Sequence, residues 1–152
     1  MPDNIVEILR NKKARFEYEI LDTYEAGIAL KGTEVKSIRQ KKVNIQESYA
    51  HIKNGEVFIV GMNISLYEMG SFFNHDPLRE RKLLMHKYEI RKLIGKLNER
   101  GYTLVPLRMY IKNGKVKLEL GLAKGKQIHD KRRTIQDRDM KRDMQREMKK
   151  YV

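Results

Sequence analysis

LVPLRMYIKNGKVKLELGL, residues 104–122, sets Asn113-Gly114 between two runs of alternating character. An Asn-Gly pair suits the two-residue type I′ turn, because both turn positions need positive φ. Counting outward from that turn pairs Ile111 with Val116, Met109 with Leu118, Leu107 with Leu120 and Val105 with Leu122. The alternate positions pair Tyr110 with Lys117 and Arg108 with Glu119. One face is apolar and the other polar, as a half-buried antiparallel pair requires. A second Asn-Gly, at residues 54 and 55, obeys the same count, with Ile52 opposite Val57 and Ala50 opposite Ile59. Two hairpins of this kind make antiparallel β the frame of the fold.

Working toward the N-terminus, RFEYEIL alternates Phe16, Tyr18 and Ile20, and YEAGIAL alternates Tyr24, Ala26, Ile28 and Leu30. Each predicts a strand. GTEVKSIRQ then changes period: Val35 and Ile38 stand three apart, and Thr33 is a candidate N-cap for a short helix. A longer helix is expected in HKYEIRKLIGKLNERG, where Ile90, Leu93, Ile94 and Leu97 share a stripe and Gly101 suits C′. MGSFFNHDPLRER, residues 69–81, reads as an exposed loop. About six short antiparallel strands with two or three helices suggest a small closed barrel of OB-like type, since closure removes the edges that short strands expose.

The 152 residues carry a formal charge of +13, which favours a polyanionic partner, nucleic acid or an anionic membrane face. No apolar stretch exceeds the six residues of VFIVGM, against about 18 for a membrane span. The N-terminal stretch MPDNIVEILR has acids and no signal-like apolar run, so the cytoplasm is the expected location. With no cysteine there is neither a disulfide nor a thiolate metal site. His51, His75, His86 and His129 lack metal-ligand spacing, so no metal or other cofactor is expected. The adjacent pair His75-Asp76 is a poor triad fragment, and the glycines of KNGK and AKGK do not make a phosphate loop. A metal-free ribonuclease drawing its acid and base from distant positions is the enzymatic alternative; the preferred reading is not an enzyme.

The charge is unevenly placed. Residues 124–152 hold eleven Lys/Arg and five Asp/Glu, a net of +6, while the 123 residues before them hold twenty-two and fifteen, a net of +7. The composition therefore divides the chain into a body, 1–124, and a basic tail, 125–152. Met140, Met144, Met148 and Val152 form a narrow i, i+4 stripe in that tail, with acid–base pairs that each contribute only about 0.2–0.5 kcal/mol. Such a segment is a solvated terminal helix, a helix docked by its Met stripe, or one that orders when its cations meet phosphates. Elsewhere Lys12, Lys13 and Arg15 adjoin Phe16 and Tyr18, and Arg79, Arg81, Lys82 and Lys87 form another basic group. Tyr110, placed opposite Lys117 on the polar face, is the better candidate for stacking on an unpaired base.

Several stretches together resemble one family. NKKARFEYEI, EAGIALKGTEVKSIR, NIQESYAHIKNGEV, NHDPLRERKLLMH, LVPLRMYIKNGKVKLELGLAKGK and HDKRRTIQDRD are similar to blocks of the bacterial SsrA-binding protein family, also called small protein B, in family order and spacing. The resemblance implies an OB-like body that binds the tRNA-like domain of tmRNA near its elbow, and a basic tail that enters the empty message channel of a stalled ribosome. The implied process is trans-translation, which tags the nascent chain and rescues the ribosome. The implied state is a monomer in complex with alanyl-tmRNA and the elongation factor that delivers it, with no membrane partner. Position by position it implies RNA contacts at Asn11, Glu25, Lys36, Leu84, His86 and Lys117, which Lys12, Arg15 and Tyr110 join from the residue reading. It implies a hinge at Lys124, Gly125 and Lys126, a decoding-centre contact at His129, and a tail motif in Asp130, Lys131 and Arg132, with Lys141 and Arg142 as further phosphate contacts. Phe16 departs from the histidine common at its position in the family.

Overall fold

The computed structural model describes residues 3–70, 74–99 and 101–125. Within them the elements run β1 (Ile5–Arg10), α1 (Lys12–Glu17), β2 (Tyr18–Ile28), α2 (Gly32–Arg39), β3 (Val43–Asn44), β4 (Tyr49–Lys53) and β5 (Glu56–Val60). They continue with β6 (Asn63–Ile64), β7 (Arg81–Leu84), α3 (Lys87–Leu97), β8 (Tyr102–Lys112) and β9 (Lys115–Gly125). Seven strands make one antiparallel sheet in the order β1-β8-β4-β5-β7-β2-β9, and β9 also pairs with β8. β3 and β6 form a separate two-stranded ladder. The protein is mainly β with three helices among its described residues.

Both Asn-Gly turns have the expected geometry. Asn54 and Gly55 take φ of 54° and 74°, and Asn113 and Gly114 take 51° and 80°. The register next to each turn follows: Ile52 faces Val57, Ala50 faces Ile59, Ile111 faces Val116 and Met109 faces Leu118. Farther out the β8–β9 count fails. A bulge between Pro106 and Arg108 shifts the pairing by one, so Pro106 faces Leu120, Leu104 faces Leu122 and Val105 faces Gly121. An extra residue reverses which face each later side chain takes, and counting from the turn does not detect it. Leu107 and Val105 therefore leave the main core and join Ala14 and Ala123 in a satellite core, with Tyr18 and Ile20 packed against it. β8 meets β1 through 108–112 and β4 through Leu104, and Pro106 sits at this changeover, where a missing N–H costs least.

The N-terminal third also departs from expectation. RFEYEIL is not a separate strand; Phe16 lies in α1, and Tyr18 to Ile28 is one eleven-residue strand with a bulge between Ile20 and Asp22. Asn11 caps α1, its Oδ1 accepting the Ala14 N–H at 3.1 Å. β1 and β7 fall in stretches the alternation did not mark as strands. The N-cap of the helix in GTEVKSIRQ is Lys31, not Thr33, and Glu34 Oε1 accepts the Lys31 N–H at 2.8 Å. In α3 the cap is Asn98; Gly101, with φ of 89°, instead makes the turn into β8.

The main core gathers Ala26, Ile38, Val57, Ile59, Leu93, Leu104, Met109 and Leu118 from the sheet, α2 and α3. Two arginines from the expected basic cluster are committed to this fold, Arg81 inside it and Arg79 half-buried at its edge. Arg81 is fully buried, and its Nε donates to buried Glu34 Oε2. Its other four N–H groups reach the carbonyls of Met62, Arg79, Asp76 and Pro77 at 2.8–3.3 Å. Arg79 Nη2 adds a bond to Glu34 Oε1 at 2.6 Å. Burial by itself raises the Glu34 pKa, but the Arg79, Lys31 and Arg81 contacts more than offset it and hold the carboxyl below its ordinary value. His75 is buried here too, with Nε2 2.9 Å from the Ile64 carbonyl and Nδ1 2.9 Å from the Thr33 hydroxyl. These contacts tie residues 74–80 to α2 and fix the start of β7.

Candidate nucleic-acid interface

Strands β2, β7 and β9 and the entry to α3 converge on a concavity of about 280 Å³, lined by Glu25, Gly27, Leu84, Met85, His86 and Lys117. Four expected site residues thus share one depression. Leu84 and Gly27 are cross-strand partners, and Gly27, lacking a Cβ, leaves room for the Leu84 side chain, which is 53% exposed. A leucine on the surface between a lysine and a carboxylate is not part of the core. The same strands open a second groove of about 350 Å³ toward α2, lined in part by Leu30, Val35, Lys115 and Lys117.

Glu25 is the charged pivot of this face. Its Oε2 accepts the Tyr110 hydroxyl, and Lys112 Nζ stands 3.4 Å away. The Tyr110 bond, against an opposing effect of burial and with help from Lys112, lowers the Glu25 pKa, so the group remains an acceptor at neutral pH. Tyr110 itself corrects the sequence reading. It is 3% exposed, the Arg108 guanidinium lies 4.5 Å from its ring centroid, and burial followed by its bond to Glu25 raises its pKa far above the ordinary phenol value. Its ring has no open face for a base; its role is to hold Glu25. Arg108 continues the network to Glu119 at 2.8 Å, and Arg15 Nη2 approaches Glu119 at 3.8 Å. Alternating charge therefore links α1 to the concavity.

The remaining expected residues are spread around this centre. Lys12 and Arg15 are exposed on α1. Asn11 is 2% exposed and its amide is occupied within the fold, donating to the Pro106 carbonyl at 2.9 Å, which corrects its assignment as a direct RNA contact. It supports the helix that presents Lys12 and Arg15. Lys36 is exposed on α2, outside the concavity, with Nζ 5.3 Å from the Tyr67 ring centroid. Lys124 and Gly125 are exposed and still belong to β9, opposite Glu19 and Tyr18 of β2, so the ladder reaches the expected hinge. Lys126, His129, Asp130, Lys131, Arg132, Lys141 and Arg142 lie outside the described residues. Lys112 and Lys115 were missed, although the turn register pairs them and puts them on the face of Tyr110 and Lys117. A larger cleft of about 390 Å³, lined by Tyr49, His51, Ile94, Leu97 and Tyr102 among others, contains none of the expected residues. Among the described residues no group of three or more His, Asp or Glu could hold a metal ion, and no helix is long and apolar enough to cross a membrane.

Comparisons with known proteins place this surface in context. The family model described as SmpB protein matches residues 8–150. An SsrA-binding protein of Thermosynechococcus vestitus is 55% identical over 150 residues, covering 98% of this chain and 99% of the relative. One from Acetivibrio thermocellus is 60% identical over 142 residues, covering 93% and 92%. A solved structure described as "tmRNA-SmpB: a journey to the center of the bacterial ribosome" superposes with a TM-score of 0.67 at 54% identity, covering 79% of this chain and 85% of that one. With a family model spanning body and tail and relatives above 50% identity over nearly their whole length, the chain belongs to the SmpB, or SsrA-binding, protein family.

Proposed function

We propose that this protein binds tmRNA and acts with it in trans-translation on stalled ribosomes. The observation that carries the reading is the family match from residue 8 to residue 150, which includes both the folded body and the basic tail. The body's part is to grip the tRNA-like domain through the depression around Leu84, with Lys117, His86 and Glu25 at its wall and Lys12, Arg15 and Lys36 as outlying phosphate contacts. Glu25 repels phosphate, so its use is to accept from a base amino group and to hold Lys112 in place. The strand pairings run from β8 through β4, β5, β7, β2 and β9 and return to β8, which we read as a small OB-like barrel with β1 as an added strand. The tail, 125–152, is the part assigned to the message channel. His129 is its base contact and Asp130, Lys131, Arg132, Lys141 and Arg142 belong to the segment that follows the channel. The protein works in the cytoplasm as a monomer with alanyl-tmRNA and its elongation factor. It is a binding factor with no catalytic residue, metal or cofactor of its own.

Pull-down from a bacterial lysate at moderate salt, followed by sequencing of the retained RNA, tests this directly. One dominant tmRNA species is expected, and a broad mixture of structured RNAs would refute it. If six to ten phosphates are contacted, affinity for tmRNA falls by about 10³–10⁵ between 50 and 200 mM salt. Truncation after Lys124 is expected to spare tmRNA binding and abolish tagging; loss of binding would place the tail in the primary clamp.

A further inference from the structure

Beside the concavity stands an aromatic that neither the core nor the expected site accounts for. Tyr88, in the first turn of α3, is 69% exposed, more than Leu84, and the helix packs on the core through Ile90, Leu93 and Leu97 instead. Its ring lies nearly parallel to the His86 imidazole, with centroids 5.5 Å apart and planes 12° apart, within the range of an offset stack. His86 lines the concavity, so the pair extends its wall outward as a short column of flat rings.

The surroundings give this column a partner. Residues three and four apart on a helix are neighbours, which sets Arg91 and Lys92 next to Tyr88. Lys87 precedes it. All three are exposed, and among the described residues none of them is in a salt bridge, whereas Lys13, Arg15, Lys42, Lys82 and Lys112 all are. An exposed flat ring among uncommitted cations has the two elements that hold single-stranded nucleic acid: a surface for a base and charges for its phosphates.

We propose that Tyr88, backed by His86, stacks on one unpaired base of the bound RNA, with Lys87, Arg91 and Lys92 holding the adjoining phosphates. The contact tolerates any base, because stacking reads no edge. It rests on the RNA-binding reading above and adds to it a residue and a ligand class, a base outside helical pairing. The test uses the full-length chain, tmRNA and the variants Tyr88→Leu and Tyr88→Phe, with circular dichroism verifying that each folds. Tyr88→Leu is expected to weaken binding about 5- to 150-fold with the salt slope unchanged, since no cation is lost, and Tyr88→Phe to bind within about twofold of the native chain. In a Tyr88→Trp variant, indole fluorescence should be quenched as tmRNA binds. Native affinity in Tyr88→Leu while the unaltered chain binds tmRNA would overturn this contact alone. An affinity loss accompanied by a shallower salt slope would also overturn it, because the effect would then come from cations. Failure of the unaltered chain to bind tmRNA would remove the functional reading and this contact with it.

Discussion

Replacing Glu34 by Gln preserves shape and removes one negative charge at the point where two guanidinium groups meet. In the native protein both Glu34 and Arg81 are 0% exposed, and all five Arg81 N–H groups are engaged, only one of them with a charged partner. Arg81 cannot shed its proton, so the variant leaves a buried cation facing only neutral acceptors, with Arg79 as an adjacent like charge. Breaking one side of a buried pair in this way costs about 3–5 kcal/mol. Set against a total of about 5–15 kcal/mol for a domain, that is a large fraction of the stability. At about 4 °C per kcal/mol, where the ranges for smaller and larger domains meet, Tm should fall by about 12–20 °C. The assay is urea and thermal denaturation followed by far-ultraviolet circular dichroism. Arg79→Gln provides the internal comparison: Arg79 is 26% exposed and its removal leaves Glu34 paired with Arg81, so the loss should be clearly smaller. If Glu34→Gln lies within 1 kcal/mol of native, or Arg79→Gln costs more, the buried charge is not what fixes the segment leading into β7.

Two further outcomes follow from the fold. Because the Glu34 pKa is lowered on folding, its contribution is full above the ordinary carboxyl pKa and is lost as pH falls through the depressed folded value. Urea midpoints should therefore drop between neutral and acidic pH, and the part of that drop due to Glu34 should be missing in Glu34→Gln; Glu25, also lowered but 41% exposed at its side chain, adds less because solvent screens it. Gly121→Val tests the satellite core: even a Cβ at 121 would stand 2.9 Å from Leu107 Cδ1 and 3.2 Å from Ile20 Cγ2. Overpacking of this kind costs about 1–3 kcal/mol, part of which Leu107→Ala in the same chain should restore; an unchanged urea midpoint in Gly121→Val would contradict the register described for β8 and β9.

The sequence by itself determined the two hairpins, the register beside each turn, the long helix and the uneven placement of positive charge. All of these follow from local rules, φ preference at Asn-Gly and the period of apolar residues, which act over a few positions. Family resemblance named Glu25, Leu84, His86 and Lys117, but that these four share one depression came only from pairing β2 with β7 and β9, strands far apart in the chain. Tertiary structure also decided the cases where burial overrode pattern. Tyr110 alternates with the apolar residues of β8 yet is buried, because Glu25 and Arg108 cover it. Arg81 reads as a surface cation in a basic cluster, but it lies inside because a carboxylate 47 residues upstream and four carbonyls satisfy its every N–H. A local pattern can say that a side chain is polar. Only the assembled fold determines whether a partner is in place to let it be buried.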